Sequence, residues 1–145
     1  MLLALSACRG KPPYEGKSVA ELEAMLHSGD PTVQAQGAVG LSKLGPEARA
    51  AVPALAEVLK GGESLARQQA ALALGKIGPD AQTAVPALID ALHDPEWQVR
   101  RLAAQALGEI GPAAAPAVPT LKQLARDPHT QVRKAAQEAL TRVHP

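Results

Sequence analysis

The residues best suited to chemistry are few and widely spaced. The 145-residue sequence has one cysteine, Cys8, and four histidines, His27, His93, His129 and His144. A metalloprotease-type His-Glu-x-x-His motif would place two histidines on one helix face, and the sequence contains none. The serines fall at signal, cap, turn or helix positions without a partnered base that could activate them. The sequence therefore predicts no catalytic residues, no metal site and no cofactor, and we expect a protein that is not an enzyme.

The single cysteine ends a short motif near the amino terminus. One aliphatic and two small residues precede it in Leu5-Ser6-Ala7-Cys8. A signal peptidase requires small residues beside the bond that it cleaves. The motif resembles a bacterial lipobox, which implies that the Cys8 thiol carries a lipid. The resemblance further implies a lipid anchor in the bacterial cell envelope, at the periplasmic face or in the outer membrane.

Two departures from a lipoprotein signal leave alternatives open. There is no basic segment before the apolar run, and that run covers only residues 2–7, whereas a signal usually has about 7–15 apolar residues. Either the true start codon lies upstream, or these residues are the ordinary start of a cytosolic chain. On the lipoprotein interpretation, residues 1–8 are a truncated signal segment and residues 9–17, rich in proline, glycine and charge, are a flexible tether. Residues 18–145 are then one repeat domain.

Two motifs recur three times in that domain, 33 residues apart. A fixed period of this length is typical of a solenoid, in which each unit buries its apolar face against its neighbours. The first motif is Leu44-Gly45-Pro46, Ile77-Gly78-Pro79 and Ile110-Gly111-Pro112; the second is Ala51-Val52-Pro53-Ala54-Leu55, Ala84-Val85-Pro86-Ala87-Leu88 and Ala117-Val118-Pro119-Thr120-Leu121.

The residue pattern of each unit predicts two helices, A and B. Helix A of the best-defined unit is expected to begin at Asp94 (the N-cap) and Pro95 and to end at Gly111, because glycine readily takes a positive φ there. Helix B begins at the Val-Pro pair, as at Val52, and the residues between Gly-Pro and helix B need not be helical. A capping box at Ser18 starts a further B-type helix. The fold class predicted is all-α, a solenoid of about eight helices. The other A helices are expected to span about 31–44, 65–77 and 128–143. The B helices are expected to end in Lys60, His93 and Arg126.

The stretches 94–112 and 84–92 resemble the short HEAT-like repeats first named for phycobilisome lyases. The resemblance covers about residues 18–145 and implies an α-solenoid of helix pairs. It implies less about function, because one fold serves many functions. In such repeats an Asp at the start of helix A and an Arg six residues later commonly link neighbouring units. Asp94 with Arg100 and Asp127 with Arg133 match this pattern, whereas Gln34 stands where the first unit would have its Arg.

Charge and aromatic content limit the possible partners. The net charge is +1, with −3 over residues 1–96 and +4 over residues 97–145. The chain has one Trp, one Tyr and no Phe, so almost nothing could stack on a base, and we expect no nucleic acid partner. The expected partner is a protein, and we expect the chain itself to be a monomer.

Two sets of residues are candidates for binding that partner. Trp97 stands where the other repeats have small polar residues, so it is either packed between repeats or an interface anchor; Arg101 follows it closely. The B helices usually line the concave side of HEAT solenoids, so their outward residues could equally be a solvated face or a groove. These outward residues are Ala54, Glu57, Lys60, Ala87, Asp90, His93, Thr120, Gln123 and Arg126.

The sequence thus predicts a non-enzymatic protein-interaction or scaffold module, lipid-anchored in a bacterial envelope. Two alternatives stay open: an accessory to an enzyme, such as a chromophore lyase, or a cytosolic regulatory repeat protein. A lyase-like protein would require a hydrophobic or aromatic pocket and basic residues to hold propionates, and aromatic residues are scarce here.

Overall fold

The computed structural model describes residues 10–143, which form an all-helical structure without β-strands. The α-helices are α1 Val19–Leu26, α2 Pro31–Leu44, α3 Val52–Gly61, α4 Ser64–Ile77, α5 Val85–Ala91, α6 Trp97–Ile110, α7 Val118–Leu124 and α8 Thr130–Val143. The A helices are α2, α4, α6 and α8, and the B helices are α1, α3, α5 and α7.

The connections inside each A–B pair are helical, which corrects the prediction of about eight separate helices. Seven-residue 3₁₀ helices join each pair, so the helical residues form five continuous stretches between residues 10 and 143. These connections are ordered because their alanines, such as Ala48 and Ala81, are fully buried. The 3₁₀ helices are Gly45–Ala51, Gly78–Ala84 and Gly111–Ala117.

The glycines that begin these connections turn the chain as predicted. Gly45, Gly78 and Gly111 have φ values of 59°, 75° and 82°. Residues with a Cβ rarely adopt such values, so glycine is needed at each of these positions. The prediction that each A helix ends at its Gly-Pro pair is confirmed.

Some predicted helix starts are correct and others are two residues early. The capping box at Ser18 is present, with the Glu21 N–H donating to Ser18 Oγ, and Asp30 accepts from the Thr32 N–H at 2.8 Å. Asp94, however, does not begin α6, because its Oδ1 accepts from the Glu96 N–H within a turn that precedes the helix. The fourth A helix likewise begins at 130 rather than 128.

Small residues let the A helices pack closely on one another, α2 against α4, α4 against α6 and α6 against α8. A Cβ built on Gly75 would lie 3.2 Å from the Ala106 Cα, and one built on Gly108 would lie 3.1 Å from the Ala139 Cα. Leucines such as Leu74 and Leu107 are fully buried and fill the interior between the A and B helices. The core therefore runs along the stack and contains only apolar side chains among the described residues.

Part of the predicted tether is docked on the domain. The Glu15 N–H donates to the Pro12 oxygen at 2.9 Å, which closes a turn. Tyr14 is half-buried and packs against the core, and Lys43 Nζ lies 5.6 Å from the centroid of its ring. Residues 12–17 are thus held in place, and the domain boundary at residue 18 stays a prediction.

The docked tyrosine occupies a position that a preceding repeat would otherwise fill. Gly40 corresponds to Ala73 in the second repeat and to Ala106 in the third. Ala106 packs against Gly75 of the preceding A helix. At α2 the surface at Gly40 is covered by Leu22 and Tyr14 instead. The turn at Tyr14 and helix α1 together form an N-terminal cap.

We expect Gly37→Ala to loosen this cap. A Cβ at Gly37 would lie 2.9 Å from both the Leu22 oxygen and the Met25 Cβ, so α1 must move away from α2. Overpacking of this kind costs about 1–3 kcal/mol, partly offset by the better helix propensity of alanine. Urea unfolding measures the loss. Gly61→Ala is the matched control, because its Cβ meets nothing within 4 Å, and an equal effect of the two substitutions would contradict the packing of α1 described here.

Candidate functional site

Arginine–aspartate pairs link successive repeats at the starts of the A helices. Arg67 Nε and Nη2 donate to the two carboxylate oxygens of Asp94 at 2.8 and 3.0 Å. Arg100 makes the same pair of bonds to Asp127 at 2.9 and 3.2 Å. The four side chains are 7–17% exposed. These arginines therefore hold the stack together and are poorly placed to bind a ligand.

The ladder has no pair between the first two repeats. The corresponding positions, 27 residues apart as in the other pairs, are Gln34 and Gly61. Gln34 Nε2 donates instead to the Ser28 oxygen at 2.9 Å. Both partners of this pair are replaced together, so neither leaves an unpaired charge.

The electrostatics of the last pair predict a pH dependence of stability. Burial alone raises the pKa of Asp127, but hydrogen bonds from Arg100 and from the His129 N–H, with the charges of both residues, lower that pKa below its ordinary value overall. A carboxyl with a lowered pKa in the folded state stabilises the fold above its unfolded pKa of about 3.9 and loses that contribution as the pH falls through the folded pKa.

We therefore expect the wild-type chain to lose more unfolding free energy between about pH 5 and pH 2 than the Asp127→Asn variant. Denaturant unfolding at several pH values measures the difference. Parallel curves for the two proteins would show that Asp127 contributes nothing to the acid sensitivity.

Trp97, Arg101 and His129 meet at the N-terminal ends of α6 and α8; we call these three residues the Trp97 cluster. The Trp97 and His129 ring centroids are 5.3 Å apart with the planes inclined at 55°. The Arg101 guanidinium carbon lies 6.0 Å from the Trp97 ring centroid. Trp97 is half-buried and packs against the core, so part of the ring remains available. It thus packs between repeats and remains partly exposed.

Two polar side-chain atoms in α6 have no partner. The Arg101 Nε, within the Trp97 cluster, and the Oε1 of Gln98, the residue after Trp97, are buried and make no hydrogen bond within residues 10–143. Buried polar groups are normally hydrogen-bonded, so each exception calls for an explanation.

Sequence reasoning named Trp97 and Arg101 but missed His129 as their neighbour. The repeat register contains the necessary signal. The counterpart of Trp97 in the next unit is Thr130, and His129 directly precedes it. Because adjacent A helices lie side by side, a residue next to that counterpart falls within reach of the indole.

The other predicted binding residues belong to the B side of the stack. Glu57 and Lys60 are exposed on α3, with their charged atoms 3.8 Å apart. Asp90 and Gln123 are exposed on α5 and α7. His93 and Arg126 are exposed but lie in turns, because α5 ends at Ala91 and α7 at Leu124. They do not complete those helices as predicted. Ala54 and Ala87, expected to face outward, are buried.

A cleft of about 250 Å³ crosses the outer surface of three A helices. Sequence reasoning missed this cleft because it is formed by three helices whose relative positions only the packing defines. Its floor is apolar and its rim is charged. The lining residues are Ala71, Leu72, Gly75 and Lys76 of α4, Leu102, Gln105, Ala106, Gly108 and Glu109 of α6, and Ala135, Glu138, Ala139 and Arg142 of α8.

Several predictions concern parts of the chain beyond this description. Cys8 and His144 lie outside the described residues. Between residues 10 and 143, no helix is both long and apolar enough to cross a bilayer. In the same range no three His, Cys, Asp or Glu residues gather where they could hold a metal ion.

Comparison with solved structures shows which folds are similar. An engineered protein superposes with a TM-score of 0.76 at 25% identity, covering 87% of this chain and 63% of that protein. The complex of CpcE and CpcF of phycocyanin lyase from Nostoc gives 0.66 at 24% identity, covering 97% and 70%. Human deoxyhypusine hydroxylase gives 0.67 at 32% identity, covering 91% and 45%.

These similarities show the fold of the chain and do not show the activity of the whole protein. The chain spans less than two thirds of the engineered protein and less than half of the hydroxylase. No curated protein sequence matches the chain. The sequence profile of HEAT repeats matches residues 19–94 and, in a second overlapping match, 52–141. Together the two matches cover most of the described helices, and the chain belongs to the HEAT-repeat family.

Proposed function

We propose that this protein is a non-enzymatic scaffold of stacked 33-residue units that binds another protein through the C-terminal half of its surface. The observation that carries the proposal is the Trp97 cluster. Trp and Arg are the residues most enriched where binding energy concentrates in interfaces. Here they meet in one place, with the Arg101 guanidinium carbon 6.0 Å from the Trp97 ring centroid.

The charge distribution supports the same location. The excess of positive charge in residues 97–145 favours a partner with an acidic, partly apolar patch. Rim charges of this kind speed association, so the association rate should fall as salt is added. The exposed Arg126 lies in the same half of the chain.

The cleft favours a protein partner over a chromophore. Its volume of about 250 Å³ lies below the range of about 300–1,000 Å³ usual for small-molecule sites, and its floor consists of Leu, Ala and Gly. A lyase-like accessory role would call for a larger pocket with aromatic walls. We therefore favour the scaffold over the enzyme accessory.

We further propose that the scaffold is held in a bacterial envelope by lipid on Cys8, which the lipobox-like motif supports. Each buried CH₂ contributes about 0.8 kcal/mol, so two or more acyl chains anchor a protein stably. We expect the native protein to fractionate with membranes and Cys8→Ala to be released. Mass spectrometry of the native N-terminus is the direct readout, and an unmodified Cys8 there would favour the cytosolic alternative.

Capture of partners by the membrane-extracted protein, followed by mass spectrometry, tests the scaffold itself. We expect the wild-type chain to retain a protein partner. Equal retention of that partner by the Trp97→Ala variant would contradict the proposed site.

A further inference from the structure

Arg133 occupies the last arginine position of the ladder that links successive A helices, and its side chain is held like the one before it. Its Nη1 donates to the backbone oxygen of Asp127 at 2.8 Å. One repeat earlier, the Arg100 Nη1 donates to the backbone oxygen of Asp94 at 2.7 Å. The guanidinium of Arg133 is therefore fixed in position by its own repeat.

The two arginines differ in whether they meet a carboxylate. Nε and Nη2 of Arg100 donate to the side chain of Asp127 in the next repeat. The Arg133 Nε makes no hydrogen bond, and the side chain makes no ion pair, among the described residues. Residues 1–9 and 144–145 contain neither aspartate nor glutamate. Arg133 is thus paired with no acidic side chain of this sequence.

The first repeat shows that holding the turn does not require an arginine. Gln34 is the counterpart of Arg133, and its Nε2 donates to the Ser28 oxygen, six residues earlier, at 2.9 Å. Arg133 makes its bond to the Asp127 oxygen across the same six residues. In the first repeat Gly61 takes the place of the ladder aspartate, and the arginine is absent as well. Because the other ladder arginines each face a carboxylate, the guanidinium of Arg133 indicates a carboxylate supplied by another molecule.

Arg133 adjoins the Trp97 cluster at the start of α8. Its backbone N–H donates to the His129 oxygen at 3.1 Å, so Arg133 lies one helical turn from the cluster. Its Nη2 donates to Oγ1 of Thr130, the counterpart of Trp97, at 2.8 Å. That nitrogen carries two hydrogens, so one of them remains available beside the Nε–H. A segment that covers the Trp97 cluster can therefore also reach the Arg133 guanidinium.

Positive charge is in excess around this guanidinium. Four cationic residues lie between positions 122 and 134: Lys122, Arg126, Arg133 and Lys134. The one acidic residue in that range, Asp127, is 7% exposed and already paired with Arg100. The next acidic residue, Glu138, lies more than a turn further along α8, where it lines the cleft. The charges around Arg133 therefore favour a carboxylate.

We propose that Arg133 binds an aspartate of the partner protein, in the two-bond geometry of the ion pairs within the chain. The planar guanidinium matches a carboxylate, and such paired bonds are among the strongest hydrogen bonds in proteins. In both occupied pairs the aspartate also accepts from a backbone N–H two residues later, so the partner's aspartate is expected in a similar turn. Little freedom is lost on binding, because the Arg133 side chain is already held. This inference rests on the proposed scaffold function and gives the partner a polar anchor beside the Trp97 cluster.

A peptide that copies one occupied pair tests binding at Arg133. The probe is a synthetic peptide with the sequence of residues 91–98, which contains Asp94, the residue that Arg67 binds in the folded chain. A matched peptide has asparagine in place of that aspartate. Each is added to the ¹⁵N-labelled full-length chain, and the arginine Nε–H signals are followed by NMR. We expect the Arg133 signal to shift with the first peptide, and the second to bind at least about tenfold more weakly.

Three results of this titration would overturn the proposal. They are no shift at Arg133, equal responses to the two peptides, and a shift at the exposed Arg126 as large as that at Arg133. The last result would mean that the peptide follows positive charge in general.

Variants at position 133 separate carboxylate binding from the fold. Arg133→Gln copies Gln34 and keeps the turn bond, so the thermal midpoint should not change, whereas binding of the captured partner should weaken about tenfold or more. Arg133→Lys keeps the charge without the planar pair of donors and should bind with intermediate affinity. Arg49→Gln, which copies Gln82 in the second repeat, is the matched control and should bind as the wild type does. Wild-type affinity for Arg133→Gln would contradict the assignment.

The captured partner also separates failure of this inference from failure of the scaffold function. If that partner needs Trp97 but binds Arg133→Gln as tightly as the wild type, Arg133 is not its anchor and the scaffold function stands. If it is indifferent to both substitutions, the proposed function fails as well.

Discussion

Leu107→Ala should lower the free energy of unfolding by about 2–5 kcal/mol, the range found for fully buried leucines. Leu107 is 0% exposed in the last turn of α6, which ends at Ile110. The core to which it belongs consists largely of alanines, which are too short to move into the space that the leucine leaves. The cavity left by the leucine should therefore persist, and its full cost should appear in the free energy of unfolding.

The loss should extend beyond its own repeat, because each unit of a solenoid is supported only by its neighbours. Urea unfolding followed by circular dichroism provides the measurement. Leu65→Ala is the matched control: its side chain is 56% exposed, so the change should stay within about 0.5 kcal/mol. A loss below about 0.5 kcal/mol for Leu107→Ala would mean that the assigned helix faces are wrong.

Trp97→Ala should weaken binding of the captured partner about 30-fold or more, which corresponds to about 2 kcal/mol or more. The substitution removes the indole that packs on His129 and lies beside Arg101. We expect a smaller loss from Arg126→Glu, because exposed rim charges act mainly on the association rate. Surface plasmon resonance with folded variants separates the association and dissociation rates.

Glu57→Lys is the control for this comparison, since Glu57 is exposed on α3 in the N-terminal half of the chain. It should leave partner binding nearly unchanged. If all three variants bind as the wild type does, the site lies elsewhere, and the cap formed by α1 and the turn at Tyr14 would be the next surface to test.

The sequence alone predicts most of the fold, because the repeat makes each unit a check on the next. The Gly-Pro helix ends, the buried faces of the A helices and the capping box at Ser18 all follow from local pattern. The starts of α6 and α8 do not, because Asp94 and Asp127 cap turns while binding arginines of the preceding repeat. Whether such an aspartate begins the helix or caps a turn before it depends on these tertiary contacts.

Other features depend on contacts between repeats and were missed for that reason. The segment around Tyr14 has the composition of a tether, yet Tyr14 docks because the surface at Gly40 would otherwise be uncovered. The cleft depends on how closely α4, α6 and α8 approach, which Gly75 and Gly108 permit. Leu72 stands where later repeats have Gln105 and Glu138, but only the structure shows that Leu72 borders the cleft.

The central claim is that the C-terminal half of the A-helix surface binds the partner protein, and one NMR measurement tests it directly. The chain has a single tryptophan, so its indole N–H gives one assignable signal. On addition of the unlabelled captured partner to labelled protein, we predict that this signal and the methyl signals of Leu102 shift together. An unchanged indole signal, with shifts confined to α1 and α3, would contradict the claim.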